Sequence, residues 1–143
     1  YHNRNRREDL NFPYFETPAL LAEWADYFIV ITPGGEETRN LVDAKVLAAI
    51  GPRGFLVNIG RGRTVQDAAL IKALRNGRLG GAGLDVFSDE PNVPEELIQM
   101  KDKVVLQPHQ ASATHETRRA MSQLCLDNVR AFLEGSDVLT QVA

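Results

Sequence analysis

Only one cysteine, Cys125, stands in 143 residues, so no internal disulfide can form and every metal pattern built on several cysteines is excluded. No metal site is assigned. Long apolar runs are missing too. None is longer than YFIVI at 27–31, which is far too short to cross a bilayer, and no membrane partner is expected. An excess of positive charge is also absent. With 16 Lys and Arg against 19 Asp and Glu, the net charge of −3 argues against nucleic acid as the main partner. No signal peptide is visible, although the sequence does not open with Met, and a reducing cytoplasm is the expected compartment. No repeat or low-complexity linker occurs, and neither does Gly-x-Gly-x-x-Gly.

What is present has the composition of an ordinary globular domain, 43% hydrophobic and 24% charged, long enough for one core. Helical and strand patterns alternate, which predicts an α/β fold with a mostly parallel sheet. Thr17 and Pro18 open a helix over 18–25 as cap and first-turn proline. Residues 27–32 are continuously apolar and are expected to form a strand buried on both faces. Asp43 caps a short helix over 44–50, and 55–59 is the next buried strand. A helix over 67–76 carries Leu70, Ile71 and Leu74 at helical spacing and stops at Gly77. Strands follow at 82–87 and 103–106. A long helix over 115–134 ends at Gly135, with Met121, Leu124, Cys125 and Phe132 as its apolar stripe. Cys125 is therefore expected to be a buried, inert thiol. The series reads as one domain.

In an open parallel sheet, ligands bind outside the carboxyl ends of the strands. Three such ends carry polar loops at 60–63, 88–90 and 108–110, so an Arg, a carboxylate and a His converge on one edge. Arg61, between glycines, can present its planar fork to a carboxylate, and a surface Arg in a turn fits equally. Arg63 is expected to be solvated or in a structural ion pair. Pro108 fixes the backbone just ahead of His109. A neighbouring carboxylate would orient that ring for general acid chemistry near neutral pH, and Asp89 and Glu90 both qualify. His115 belongs to a helix terminus, and His2 is uninformative. Asp85 falls inside an apolar strand, where an unpaired carboxylate is costly. Backbone amides and a ligand amide are both possible partners for it. Residues 3–7 form a basic and amide cluster, read either as a solvated tail or as a phosphate site.

The motifs Val57-Asn-Ile-Gly-Arg-Gly62, Gly83-Leu-Asp-Val-Phe87, Asp89-Glu-Pro91 and Pro108-His-Gln-Ala-Ser-Ala-Thr114 together resemble the D-isomer-specific 2-hydroxyacid dehydrogenases. The likeness is strongest to the hydroxypyruvate, glyoxylate and hydroxyphenylpyruvate reductase branch, and it runs over nearly the whole chain. It implies that Arg61 binds the 2-oxo acid, that Glu90 pairs with the catalytic histidine, and that His109 donates the proton when the ketone is reduced. Asp85 is implied to contact the nicotinamide carboxamide, with Thr32, Pro33 and Ile59 as further cofactor contacts.

NAD-preferring relatives carry an acid near the end of the second strand, and the opening residues here hold none. Asn3, Arg4 and Asn5 could instead bind a 2′-phosphate, so NADP is the expected cofactor, with NAD as the alternative. The implied fold is a partial Rossmann-like, doubly wound parallel sheet lacking its first strand and glycine-rich loop. Gly34-Gly35 lacks the spacing to replace that loop. Residues 1–143 would then be the rear portion of the cofactor domain, without the substrate domain, and inactive alone. One departure is Ala111, where the family usually has Gly. The implied partners are a small 2-oxo acid and a second copy in a homodimer. The rival reading is a nicotinamide-sensing, corepressor-like binding protein on the same fold.

Overall fold

The computed structural model describes residues 1–141 and gathers them into two compact units, one over Tyr1–His109 and one beginning at Gln110. In the first unit, β1 (Tyr27–Val30), β2 (Phe55–Asn58), β3 (Gly81–Leu84) and β4 (Val104–Leu106) form one sheet in the order β1-β2-β3-β4. Every pairing is parallel. Helices α1 (Pro18–Trp24), α2 (Ala44–Ile50), α3 (Asp67–Arg75) and α4 (Glu95–Gln99) alternate with the strands. The architecture is the α/β one read from the sequence.

Local chemistry sets the helix ends. Thr17 Oγ1 accepts from the Leu20 N–H at 3.2 Å, and Pro18 fills the first turn, where a missing N–H costs nothing. Asp43 Oδ1 takes the N–H groups of Lys45 and Val46 at 2.9 and 3.0 Å. Past α3, Gly77 has φ 65° and its N–H reaches the Leu74 carbonyl at 3.2 Å, a conformation that a Cβ would disfavour.

The strands depart from expectation. The 27–32 run is neither six residues of strand nor buried on both faces: β1 stops at Val30, and its burial alternates. Phe28 and Val30 point into the core, whereas Ile29 is 58% exposed. Register explains the rest. Ile29, Val57, Gly83 and Val105 share one row, and Val105 at the far edge is 66% exposed. Leu47, Leu70 and Leu74 of α2 and α3 cluster with Phe28, Leu56 and Ala82 of the opposite face, so the helices cover a single side. The 55–59 strand fails in the same way, with Phe55 and Ile59 exposed. β3 ends at Leu84, which places Asp85 beyond the strand, though still buried.

The second unit is built on α5 (His115–Leu133), capped by Thr114 Oγ1 on the Thr117 N–H at 3.2 Å and followed by Gly135 at φ 70°. Asn128 ties the following segment to the helix, donating to Thr140 Oγ1 at 2.9 Å and accepting from its N–H at 3.1 Å. Met121, Leu124 and Phe132 are exposed, and so is Cys125, which corrects the expectation of a buried thiol. The physical reason lies within this unit: none of its described residues is buried, so the stripe of α5 has no core of its own to join. Among the described residues no helix is long and apolar enough to cross a membrane.

Candidate active site

Four loops of the first unit meet at a cavity of about 320 Å³ whose lining includes Arg61, Glu90 and His109, together with Arg63, Ser88 and, from the loop after β1, Gly34 and Arg39. The convergence deduced from strand ends is therefore realised in space. The turn after β2 supplies Arg61, and the segments after β3 and β4 supply Glu90 and His109.

His109 and Glu90 are in direct contact, with Nδ1 2.7 Å from Oε2. The second carboxylate oxygen of Glu90 accepts from the Phe87 N–H at 2.9 Å. Asp89, equal to Glu90 by residue type alone, is turned elsewhere. Its side chain and its carbonyl accept from Asn92 at 3.1 and 2.8 Å. His109 has φ 50°, the left-handed region that non-glycine residues visit rarely and at a cost. The backbone is thus held in an unfavourable state at the residue whose ring meets Glu90.

The hydrogen bond from His109, and next the Phe87 N–H, hold the Glu90 carboxyl below the usual carboxylate range. The sign of the linkage follows. A carboxyl depressed in the folded state stabilises the fold above the unfolded glutamate value of ~4.3, and loses that contribution as the pH falls through the lower folded value. Wild-type stability should therefore fall more steeply below about pH 4.3 than that of Glu90→Gln. Urea unfolding across that range checks it, and parallel slopes would contradict the coupling. Both side chains are partly exposed, so solvent screening keeps the effect modest.

Arg61 is held by its own turn. Its Nη1 donates to the Gly60 carbonyl at 2.7 Å, and its stem passes the bare Cα of Gly34, where an added Cβ would lie 3.0 Å from Arg61 Cγ. Arg63 is exposed, as expected of a solvated residue, and its Nε donates to the Ser88 carbonyl at 3.3 Å rather than to a carboxylate. The Ser88 hydroxyl donates in turn to Asp67. Arg39 makes a two-pronged bond to Glu36 at 2.9 and 2.8 Å, on the rim of the same cavity.

A second cavity, of about 540 Å³, is lined by Asn3, Arg4, Asn5, Thr32 and Pro33, along with His2, Glu37, Thr38 and Leu41. Five of the residues expected around the cofactor thus lie together. Ile59 and Asp85 line neither cavity. Ile59 is exposed beyond β2, and Asp85 is buried with its N–H on the Asn58 carbonyl at 3.0 Å. Two residues escaped the sequence reading. Glu37 forms an ion pair with Arg4, and nothing local signals it because the partners lie far apart in the chain. Asn58 is buried beside Arg61, and its signal was an amide inside an otherwise apolar run.

Residues 1–111 match the family described as D-isomer specific 2-hydroxyacid dehydrogenase, NAD binding domain, and the chain belongs to that family. It is 47% identical to the glyoxylate/hydroxypyruvate reductase A of Arabidopsis thaliana and 43% identical to the hydroxyphenylpyruvate reductase of Plectranthus scutellarioides. Each alignment takes in 99% of this chain and 45% of the relative. Among solved structures, the NADPH-dependent glyoxylate/hydroxypyruvate reductase of Sinorhizobium meliloti in complex with NADP and malonate superposes with a TM-score of 0.94 at 52% identity. That match covers 100% of this chain and 44% of the other. The chain therefore spans less than half the length of these relatives.

Proposed function

We propose that this member of the D-isomer specific 2-hydroxyacid dehydrogenase family is the rear portion of the cofactor domain of a reductase. In its intact form that enzyme reduces small 2-oxo acids such as hydroxypyruvate or glyoxylate with NADPH. The observation that carries the reading is the Glu90–His109 contact at 2.7 Å in the cavity that Arg61 also lines. Coverage of 44–45% of the relatives supports placing the substrate domain and the phosphate-binding loop outside these residues. The rival corepressor reading is not favoured, because the relatives compared are named as reductases. A cytoplasmic homodimer belongs to the same proposal, resting on the family resemblance and the lone cysteine.

The chain's own residues divide the work. Glu90, held ionised, can only accept, so His109 Nδ1 carries the donating hydrogen and Nε2 is the nitrogen left to face substrate. From Nε2 a proton passes to the carbonyl oxygen as negative charge develops there. Arg61 binds the neighbouring carboxylate, which turns the carbonyl toward His109. Bound NADPH supplies the hydride for the carbonyl carbon. NADPH oxidation by the intact protein with hydroxypyruvate or glyoxylate tests the reading; no turnover with either would sink it. Turnover by these 143 residues alone, abolished by His109→Ala, would instead overturn the claim that the remaining portion is required.

The second cavity suits the phosphorylated ribose of NADP. It offers a guanidinium and two amides, and no acid lies in 1–7. Glu37 opposes part of that charge, so Arg4 exchanges its carboxylate partner for the phosphate. Arg4→Ala is expected to raise the NADPH KM about tenfold or more, the scale of one charge-assisted hydrogen bond, while leaving that for NADH nearly unchanged. Steady-state kinetics with both cofactors decide it, and equal effects would contradict a 2′-phosphate contact.

A further inference from the structure

Across the sheet, Val30, Asn58, Leu84 and Leu106 stand in one row. Three are aliphatic and the fourth is an amide that is 1% exposed. Burying an amide among aliphatic neighbours is costly unless both ends are bonded, and a valine or leucine would fill the position at less cost. Both ends of Asn58 are used, and both on the turn that carries Arg61. Oδ1 accepts from the Gly60 N–H at 3.1 Å, and Nδ2 donates to the Arg61 carbonyl at 3.1 Å. Between these anchors lies the Gly60 carbonyl, which takes the Arg61 guanidinium at 2.7 Å. Gly60 itself is pressed against the exit of β1, where an added Cβ would lie 2.7 Å from the Thr32 carbonyl oxygen.

We propose that Asn58 is a positioning residue for the substrate carboxylate: its buried amide clamps the turn on both sides of Gly60, so that the Gly60 carbonyl aims the Arg61 guanidinium. Of the four strands, β2 alone is followed directly by the arginine turn, and β2 alone carries an amide in this row. The inference rests on Arg61 binding the carboxylate of a 2-oxo acid, as proposed above. It adds a side chain that touches neither substrate nor cofactor and acts through the backbone. Geometry of this kind matters because small misplacements of a binding group are expensive.

The experiment is a double-mutant cycle on the intact protein. Its readout is calorimetric binding of oxamate, an unreactive molecule with a carboxylate beside a carbonyl. Asn58→Ala is expected to weaken oxamate about tenfold with NADPH affinity unchanged, and to add little once Arg61→Ala is present. Asn58→Ser keeps a neutral acceptor for the Gly60 N–H, since a serine hydroxyl closes the same turn, and loses the donor that reaches the Arg61 carbonyl. It should fall between wild type and alanine, and it serves if the alanine variant does not fold. The KM for the 2-oxo acid should rise more than kcat falls. Equal weakening of oxamate and NADPH, or the same loss with and without Arg61, would make Asn58 a core residue and overturn the proposal. An Arg61→Ala variant that binds oxamate like wild type would instead remove the underlying reading, and this inference with it.

Discussion

Gly62→Ala should lower the unfolding free energy by about 3 kcal/mol or more, at the upper end of the cost of overfilling a packed site. A Cβ at this position would lie 1.9 Å from the Phe87 carbonyl carbon, 2.0 Å from its oxygen and 2.4 Å from the Ser88 nitrogen. All three are backbone atoms, so no side-chain rotation relieves the clash. The turn after β2 and the segment after β3 have to separate. That separation also strikes the site, because Arg61 precedes Gly62 and the Phe87 N–H anchors Glu90 at 2.9 Å. Arg63 would lose its bond to the Ser88 carbonyl by the same movement. Gly83→Ala is the control, since a Cβ there meets nothing closer than Val57 at 3.9 Å, and it should change stability by under about 1 kcal/mol. Urea unfolding of the two variants separates them. A midpoint for Gly62→Ala equal to that of wild type would mean that the two loops are not in contact.

Helix positions were legible because their causes are local. Thr17, Asp43, Gly77 and Gly135 act within a few residues of themselves, and the observed ends lie within one residue of those read from pattern. Strand burial was not legible, since it depends on what stands opposite. The 27–31 run is apolar throughout, yet Ile29 and Ile31 are exposed for want of a covering layer. The same holds for α5, whose stripe, Cys125 included, has the composition of a core without being one. α4 went unread because Pro94 caps it with no side-chain hydrogen bond and it is only 5 residues long.

At the site, residue types and motif order pointed to Arg61, Glu90 and His109 by resemblance. Residue type alone left Asp89 and Glu90 equal, and backbone geometry separates them as the resemblance implies. The Asp89–Asn92 bridge turns one carboxylate away and leaves the other on His109. Asn58 was hidden for the opposite reason. It is central to the arginine turn, yet it donates and accepts only with backbone groups, which no spacing in a sequence reveals.

His109→Asn should lower kcat/KM for 2-oxo acid reduction by about 10²–10⁴-fold, the usual contribution of a positioned general acid. The fold should be unharmed. Reduction places negative charge on the carbonyl oxygen, and without a proton donor within reach the alkoxide must wait for water. Asn can still hydrogen-bond to Glu90 but has no proton to release. Alanine is the less informative substitution, because the backbone here has φ 50°. Asn tolerates that conformation far better than most residues, and Gly does so without strain. His109→Gly should therefore gain stability, by about 1 kcal/mol, while losing activity to the same degree. A variant that is at once more stable and inactive separates a strained working residue from a structural one, since removing a structural histidine costs stability. Thermal unfolding paired with steady-state NADPH oxidation reads both quantities. Activity within about tenfold of wild type in His109→Asn would assign the proton to another group. A clear loss of stability in His109→Gly would mean that the Glu90 contact supports the fold by more than the left-handed backbone costs it.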